Sequence, residues 1–129
     1  MNDRLYSLSV KREFTSEHFL TGGDWGAENL RHAHLYGLEV EIGGRELDRH
    51  GFLIDIVELA ALLDALVRQF SGKVLNDAPE FAGHNPSLER FCLTVHGLLA
   101  SKLRDRRLKT LTVRLAEDRI AVAAYRADI

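Results

Sequence analysis

From His32 to Ile42 every second residue is histidine or apolar, in the order His32, His34, Tyr36, Leu38, Val40 and Ile42, while Glu39 and Glu41 take the opposite parity. A period of two is the mark of a strand with one buried face. If the strand extends back to His32, both imidazoles lie on the side that carries the apolar run. The pattern stops at Gly43-Gly44.

The same alternation precedes it. Between Leu5 and His18, Tyr6, Leu8, Val10 and Phe14 share one parity and Ser7, Ser9 and Lys11 the other, which predicts a half-buried strand. Thr21-Gly22-Gly23-Asp24-Trp25-Gly26 is too rich in glycine to continue it and is expected to be a loop. The period then changes. Within Gly51 to Phe70, Ile56, Leu59, Leu63, Leu66, Val67 and Phe70 recur at three and four, giving a helix with one apolar stripe. A second helix is expected to start at Asn85-Pro86, with asparagine as N-cap and proline at the first helical position. Leu88, Phe91, Val95, Leu98, Leu99 and Leu103 form its stripe. Leu111, Val113 and Leu115 alternate with Thr110, Thr112 and Arg114, and after a turn at Glu117-Asp118-Arg119 a last strand runs from Ile120 to Tyr125, as in a hairpin.

The order strand, strand, helix, helix, strand, strand predicts an antiparallel α+β fold. At 129 residues, without repeats or linkers, it reads as one domain over 1–129. Two helices on one face leave both sheet edges open, so closure through other subunits is expected.

Composition narrows the class. A hydrophobic fraction of 46% with 28% charged residues is that of a packed globular chain. With a formal net charge of -2, the short run of Arg104, Arg106, Arg107 and Lys109 reads as a solvated helix end rather than a nucleic-acid surface. The single cysteine, Cys92, excludes an intrachain disulfide and fits a reducing compartment; it is expected to pack. No apolar run is long enough for a signal peptide or a membrane span, so the cytoplasm is the default and no membrane partner is expected.

Three of the six histidines stand where the first two strands end or begin: His18 and the pair His32-Ala33-His34. A His-x-His on a strand can offer two nitrogens to one metal, and a third from a neighbouring strand completes a facial set. Three neutral imidazoles with an exchangeable fourth position are the pattern of catalytic zinc. On spacing alone, ordinary surface or core histidines remain the alternative.

Phe14-Thr15-Ser16-Glu17-His18, then Glu28 through Tyr36, then Gly51-Phe52-Leu53-Ile54-Asp55 resemble the 6-pyruvoyltetrahydropterin and 6-carboxytetrahydropterin synthases. Leu75-Asn76, Pro86-Ser87-Leu88-Glu89 and Glu117 through Tyr125 continue the likeness in the family's order. The resemblance implies a tunnelling fold (T-fold) whose ββααββ subunits join into a barrel, usually a hexamer of two stacked trimers with active sites between subunits. It implies zinc on His18, His32 and His34, acting as a Lewis acid on the side chain of a dihydropterin. It gives Glu117 the role of ring anchor through two parallel hydrogen bonds, whereas spacing alone reads it as a solvated turn residue. Ser87 and Glu89 fall where the family has Thr-x-Glu beside the ring pocket; helix capping and dipole complementarity explain them equally well.

The chain departs from the family at three places. The usual His-Gly-His is His-Ala-His. The proton-abstracting cysteine four residues before the pair is Glu28, as in a subgroup that cleaves the dihydroneopterin side chain to leave a 6-hydroxymethyl dihydropterin. A glutamate, with an ordinary pKa of about 4.3, is a weak base unless desolvated. The assisting Asp-His pair falls on Ser71-Gly72, and His84 and His50 are the histidines near enough in sequence to be considered in its place. The expected function is a zinc-dependent pterin lyase or synthase on 7,8-dihydroneopterin, its triphosphate or a related dihydropterin, with Glu28 as acid/base. The alternatives are a pterin-binding homologue that has lost the reaction, and a metal-dependent hydrolase or isomerase of another planar substrate.

Overall fold

The computed structural model describes residues 4–104 and 107–129. Four strands form one sheet in the order β1 (Tyr6–His18), β2 (His32–Gly44), β3 (Thr110–Glu117), β4 (Ala121–Asp128), every pair antiparallel. Two helices, α1 (Ile56–Phe70) and α2 (Leu88–Ala100), pack on one face. Short 3-10 turns lie at Gly26–Asn29, Leu75–Asp77 and Pro79–Phe81. Among the described residues no helix is long and apolar enough to cross a membrane.

The alternation decides which face is buried. Tyr36, Leu38, Val40 and Ile42 of β2 stand opposite Glu117, Leu115, Val113 and Leu111 of β3, and facing partners in antiparallel strands share a side. These apolar residues meet Leu59, Leu63, Leu66 and Phe70 of α1 and Phe91, Val95 and Leu99 of α2 in one core. Arg12 breaks the apolar parity of β1; it reaches Asp64 on α1, with Nε 2.7 Å from Oδ1. The other face carries Arg114 with Glu41 at 2.8 Å and Arg119 with Glu13 at 3.0 Å.

Both ends of α2 differ from the sequence expectation, and the last strand, expected over Ile120 to Tyr125, spans Ala121–Asp128. Helix α2 starts at Leu88, and its N-cap is Ser87, whose Oγ accepts from the Arg90 N–H at 3.1 Å. Asn85 cannot cap because its amide is bound to Thr21, accepting from the Thr21 N–H at 2.8 Å and donating to the Thr21 carbonyl at 3.0 Å. The basic run is not a helix end. Helix α2 stops at Ala100 with no basic residue in its last turn, and Arg104, Arg107 and Lys109 lie exposed beyond it; Arg106 lies outside the described residues.

The hairpin closes as its sequence requires. Asp118 and Arg119 have φ of +55° and +61°, and the Ile120 N–H donates to the Glu117 carbonyl at 3.0 Å. Two central residues with positive φ match the right-handed twist of the strands they join, and Asp tolerates that conformation better than most side chains.

Candidate metal centre

Strand pairing assembles the histidines. The β1–β2 register sets His18 opposite His32 and Ser16 opposite His34, so the period of two brings His18, His32 and His34 to one face at one end of the sheet. Their ring centroids are 4.6, 4.9 and 4.7 Å apart for the three pairs, with interplanar angles of 73°, 89° and 88°. Near-perpendicular rings at such short range converge on a point rather than stack.

Each ring is fixed through its Nδ1. His18 Nδ1 lies 3.0 Å from the Pro86 carbonyl, His32 Nδ1 lies 2.6 Å from the Leu30 carbonyl, and His34 Nδ1 lies 2.6 Å from Asp118 Oδ2. Those oxygens can only accept, so each Nδ1 carries the proton and each Nε2 presents a lone pair. Such second contacts orient imidazoles for a metal. Nε2 of His32 and Nε2 of His34 are buried without a hydrogen-bond partner among the described residues, a costly arrangement for a polar atom unless a cation takes the lone pair. Burial pushes the pKa of His18 down from its ordinary 6.5, against the opposing pull of the Pro86 carbonyl, and so favours its neutral form. The donor set therefore fits a divalent ion such as zinc.

Carboxylates flank the triad. Glu28, on the turn at Gly26–Asn29, lies with Oε2 against Nε2 of His32 and completes a group of four donors within 4.8 Å of one another. Glu117, at the end of β3, holds Oε1 3.5 Å from Nε2 of His34. Its position opposite Tyr36 puts it on the histidine face, which the turn reading from spacing alone would not predict.

Asparagines hold the loop that carries Glu28. Asn29 Oδ1 accepts from the Trp25 N–H at 2.7 Å while its Nδ2 donates to the carbonyls of Leu20 and Gly23. Asn76 grips the residue after His18, accepting from the Phe19 N–H at 3.0 Å and donating to the Phe19 carbonyl at 2.9 Å. The Leu75-Asn76 likeness thus has a local cause: an amide can satisfy both backbone groups of a residue leaving a strand. Beneath the rings lie Tyr36, 6.0 Å from His34 between centroids, and Phe91, 5.3 Å from Tyr36. Burial, with the charge of Glu117 second, drives the Tyr36 phenol well above its usual range, so it stays protonated.

The remaining candidates are placed as follows. Ser87 follows Pro86, whose carbonyl holds His18, but its hydroxyl is engaged as the α2 cap. Glu89 is exposed in the first turn of α2, and among the described residues no hydrogen bond or ion pair joins it to the triad. Ser71-Gly72 forms the corner after α1, where the Gly72 N–H donates to the Thr15 carbonyl at 2.8 Å. Gly72 has φ of +71°, with no atom within 4 Å of where a Cβ would stand. His50 lies beside Phe52, with ring centroids 6.2 Å apart, and Phe52 lines a pocket together with Tyr6, at the opposite end of β1 from His18. At about 3.3 Å per residue β1 is roughly 40 Å long, so His50 of this chain cannot reach the triad. His84 is exposed, with no side-chain partner among the described residues.

Sequence reasoning missed Asp118, which it read as a turn residue. No spacing rule pairs it with His34. It stands one residue past β3, where a φ of +55° takes its side chain out of the strand alternation.

Fold and cluster together define an α+β protein with a three-histidine centre of metal-binding type at one end of its sheet. A sequence model of 6-pyruvoyl tetrahydropterin synthase matches residues 7–128, and the chain belongs to that family. It is similar to 6-carboxy-5,6,7,8-tetrahydropterin synthase of Bacillus subtilis, 25% identical over 100 residues that cover 78% of this chain; it spans 64% of that relative's length. The fold matches 6-pyruvoyl tetrahydropterin synthase of Caenorhabditis elegans with a TM-score of 0.82 at 18% identity, over 96% of each chain. It matches the Plasmodium vivax synthase with a TM-score of 0.81 at 16% identity, over 98% of this chain and 100% of that one. The four-stranded antiparallel sheet with two helices is the T-fold of those structures.

Proposed function

We propose that the chain is a zinc-dependent pterin lyase acting on 7,8-dihydroneopterin, its triphosphate or a related dihydropterin, to leave a 6-hydroxymethyl or other 6-substituted dihydropterin. The observation that carries this reading is the pair of carboxylates beside one imidazole cluster, Glu28 against His32 and Glu117 3.5 Å from His34. A planar ring offering an amino group and a ring N–H in parallel suits a carboxylate acceptor, which is the role given to Glu117. With the ring held there, its side chain falls toward His32 and Glu28. Zinc on His18, His32 and His34 would supply Lewis-acid polarisation of the side-chain oxygens. Glu28 takes the proton from the hydroxyl on the far carbon of the bond that opens; that oxygen becomes the carbonyl of a released aldehyde, and the electron pair left on the carbon next to the ring takes the proton back from Glu28. Tyr36 and Phe91 form a dry floor beneath the rings. Ser87 and Glu89, at the start of α2, are assigned to the rim of the pterin site on the family likeness.

A catalytic glutamate has precedent on this fold: a similar structure, with a TM-score of 0.79 at 15% identity, is a catalytic-residue mutant of the Plasmodium vivax synthase in which a glutamate is replaced by alanine.

The test is turnover of metal-loaded protein on dihydroneopterin and on its triphosphate, followed by chromatography. Glu28→Gln is expected to lower the rate by about 10²- to 10⁴-fold, the usual contribution of a general acid–base group, with pterin affinity retained. Glu117→Ala is expected to weaken pterin binding at least tenfold. No product from either substrate would reject the lyase.

A second reading rests on the Ser71-Gly72 corner, which offers no proton relay. In it the chain binds a pterin and metal without reacting; tight binding without product distinguishes it. In both readings the working unit is a homo-oligomer, a hexamer built of two trimers, in the cytoplasm.

A further inference from the structure

We infer that Asp118 is a positioning residue that sets the ligand strength of His34, making this imidazole the strongest donor of the three. The inference rests on the metal-site reading above and goes beyond it by assigning unequal roles to the three rings.

Two of the rings lean on neutral main-chain oxygens, His18 on Pro86 and His32 on Leu30. His34 leans on a carboxylate, 2.6 Å away. A hydrogen bond to an ionised acceptor is roughly twice as strong as one to a neutral acceptor. Passed through the ring, it raises the basicity of the opposite nitrogen. An aspartate side chain, with an ordinary pKa of about 3.9, is ionised at neutral pH.

The carboxylate is also held at both of its oxygens. Asp118 Oδ1 accepts from the Leu35 N–H at 2.9 Å, and the Asp118 N–H donates to the Leu35 carbonyl at 2.7 Å. Together with the bond to His34 this fixes Asp118 by three contacts to two successive residues of β2. The carboxylate therefore selects a tautomer as well as a strength. With Nδ1 protonated toward Asp118, Nε2 of His34 stays open, although Glu117 stands 3.5 Å from it. Were the proton on Nε2, it would point at Glu117 and close the ligand position.

Asp118→Asn tests this with little structural disturbance. Asparagine tolerates positive φ, and its oxygen can still accept from the Leu35 N–H. Its amide nitrogen then faces Nδ1 of His34, which must become an acceptor, and the proton moves to Nε2. The zinc dissociation constant, measured by competition with a chromogenic chelator, is expected to rise about 10- to 100-fold. The visible absorption of the cobalt-substituted protein is expected to shift or to lose its tetrahedral intensity. The denaturation midpoint of the metal-free protein should stay at the wild-type value. Asp118→Gly, which accepts the same backbone angle, should weaken zinc in the same direction if the asparagine variant fails to fold. Zinc affinity within twofold of wild type and an unchanged cobalt spectrum would overturn the role of Asp118 and leave the metal centre standing. A wild-type protein that binds no stoichiometric zinc or cobalt overturns both.

Discussion

A buried histidine serves as ligand or as filler according to what its far nitrogen touches. His96 is as well buried as His34, yet its Nε2 is bonded to the Leu111 carbonyl at 3.0 Å and its ring meets Tyr125 edge-on at 4.9 Å. His32 and His34 have engaged Nδ1 atoms, and their Nε2 atoms face the carboxylates of Glu28 and Glu117 without a hydrogen bond among the described residues. One turn before His96, Cys92 belongs with the fillers. It is fully buried, burial raises its thiol to about 11, and Sγ donates to the Ala123 carbonyl at 3.4 Å. A thiol held in its protonated form is a poor nucleophile. Native protein at pH 8 should therefore leave an aromatic disulfide reagent unreacted, with one thiol released on unfolding. The linkage has a definite sign. The unfolded thiol ionises near 9.0 and the folded one near 11, so the unfolded state loses its proton first. The stabilisation is whole below pH 9.0 and is lost as pH rises through about 11. The stability difference between wild type and Cys92→Ala should shrink across that window; a difference independent of pH, or ready labelling of the native protein, would contradict the assignment.

At the scale of elements, the start of α2 does two jobs within two residues. The Pro86 carbonyl accepts from His18, and the Ser87 hydroxyl accepts from the Arg90 N–H. The cap fixes where the helix begins and so holds Pro86 against the centre. Ser87→Ala is expected to cost about 1 kcal/mol of stability, read from urea denaturation, with a matching loss of zinc affinity below threefold because the Pro86 carbonyl remains. A change under 0.3 kcal/mol would remove the cap from this account. The corner after α1 works similarly. Ser16 Oγ contacts the carbonyls of Phe70 and Lys73 at 3.0 and 2.8 Å, and the Glu17 N–H donates to the Lys73 carbonyl at 2.9 Å. These bonds stitch the segment after Ser71-Gly72 to the edge of β1 beside the histidines, where the family's Asp-His pair has no counterpart.

At the scale of the whole molecule, that stitching covers only one end of the β1 edge. The outer edge of β4 is unpaired among the described residues, and its surroundings expose Ile120 at 87% and Val122 at 66%. Open edges with exposed apolar side chains favour pairing with further strands. The oligomer proposed above is expected to appear as a hexamer by light scattering at micromolar concentration, with Val122→Lys shifting the mass toward monomer. A wild-type monomer at those concentrations would refute it.

Element order, the core face and three ligand candidates were legible in the sequence because a period of two or of three to four is a local property. Tyr36, Leu38, Val40 and Ile42 declare their side without help from β3. The register that sets His18 opposite His32, the reach of Asp118 to His34 across 84 positions, and the capture of Asn85 by Thr21 were not legible there. Each depends on where two distant segments meet, and the reach of Asp118 also on a backbone angle that takes its side chain out of the strand alternation. The sequence by itself determined which residues could be ligands. Only the tertiary structure decided which nitrogen His18 and His34 present, because that choice belongs to hydrogen-bond partners brought in by other elements, Pro86 and Asp118, whereas His32 finds its partner two residues away at Leu30.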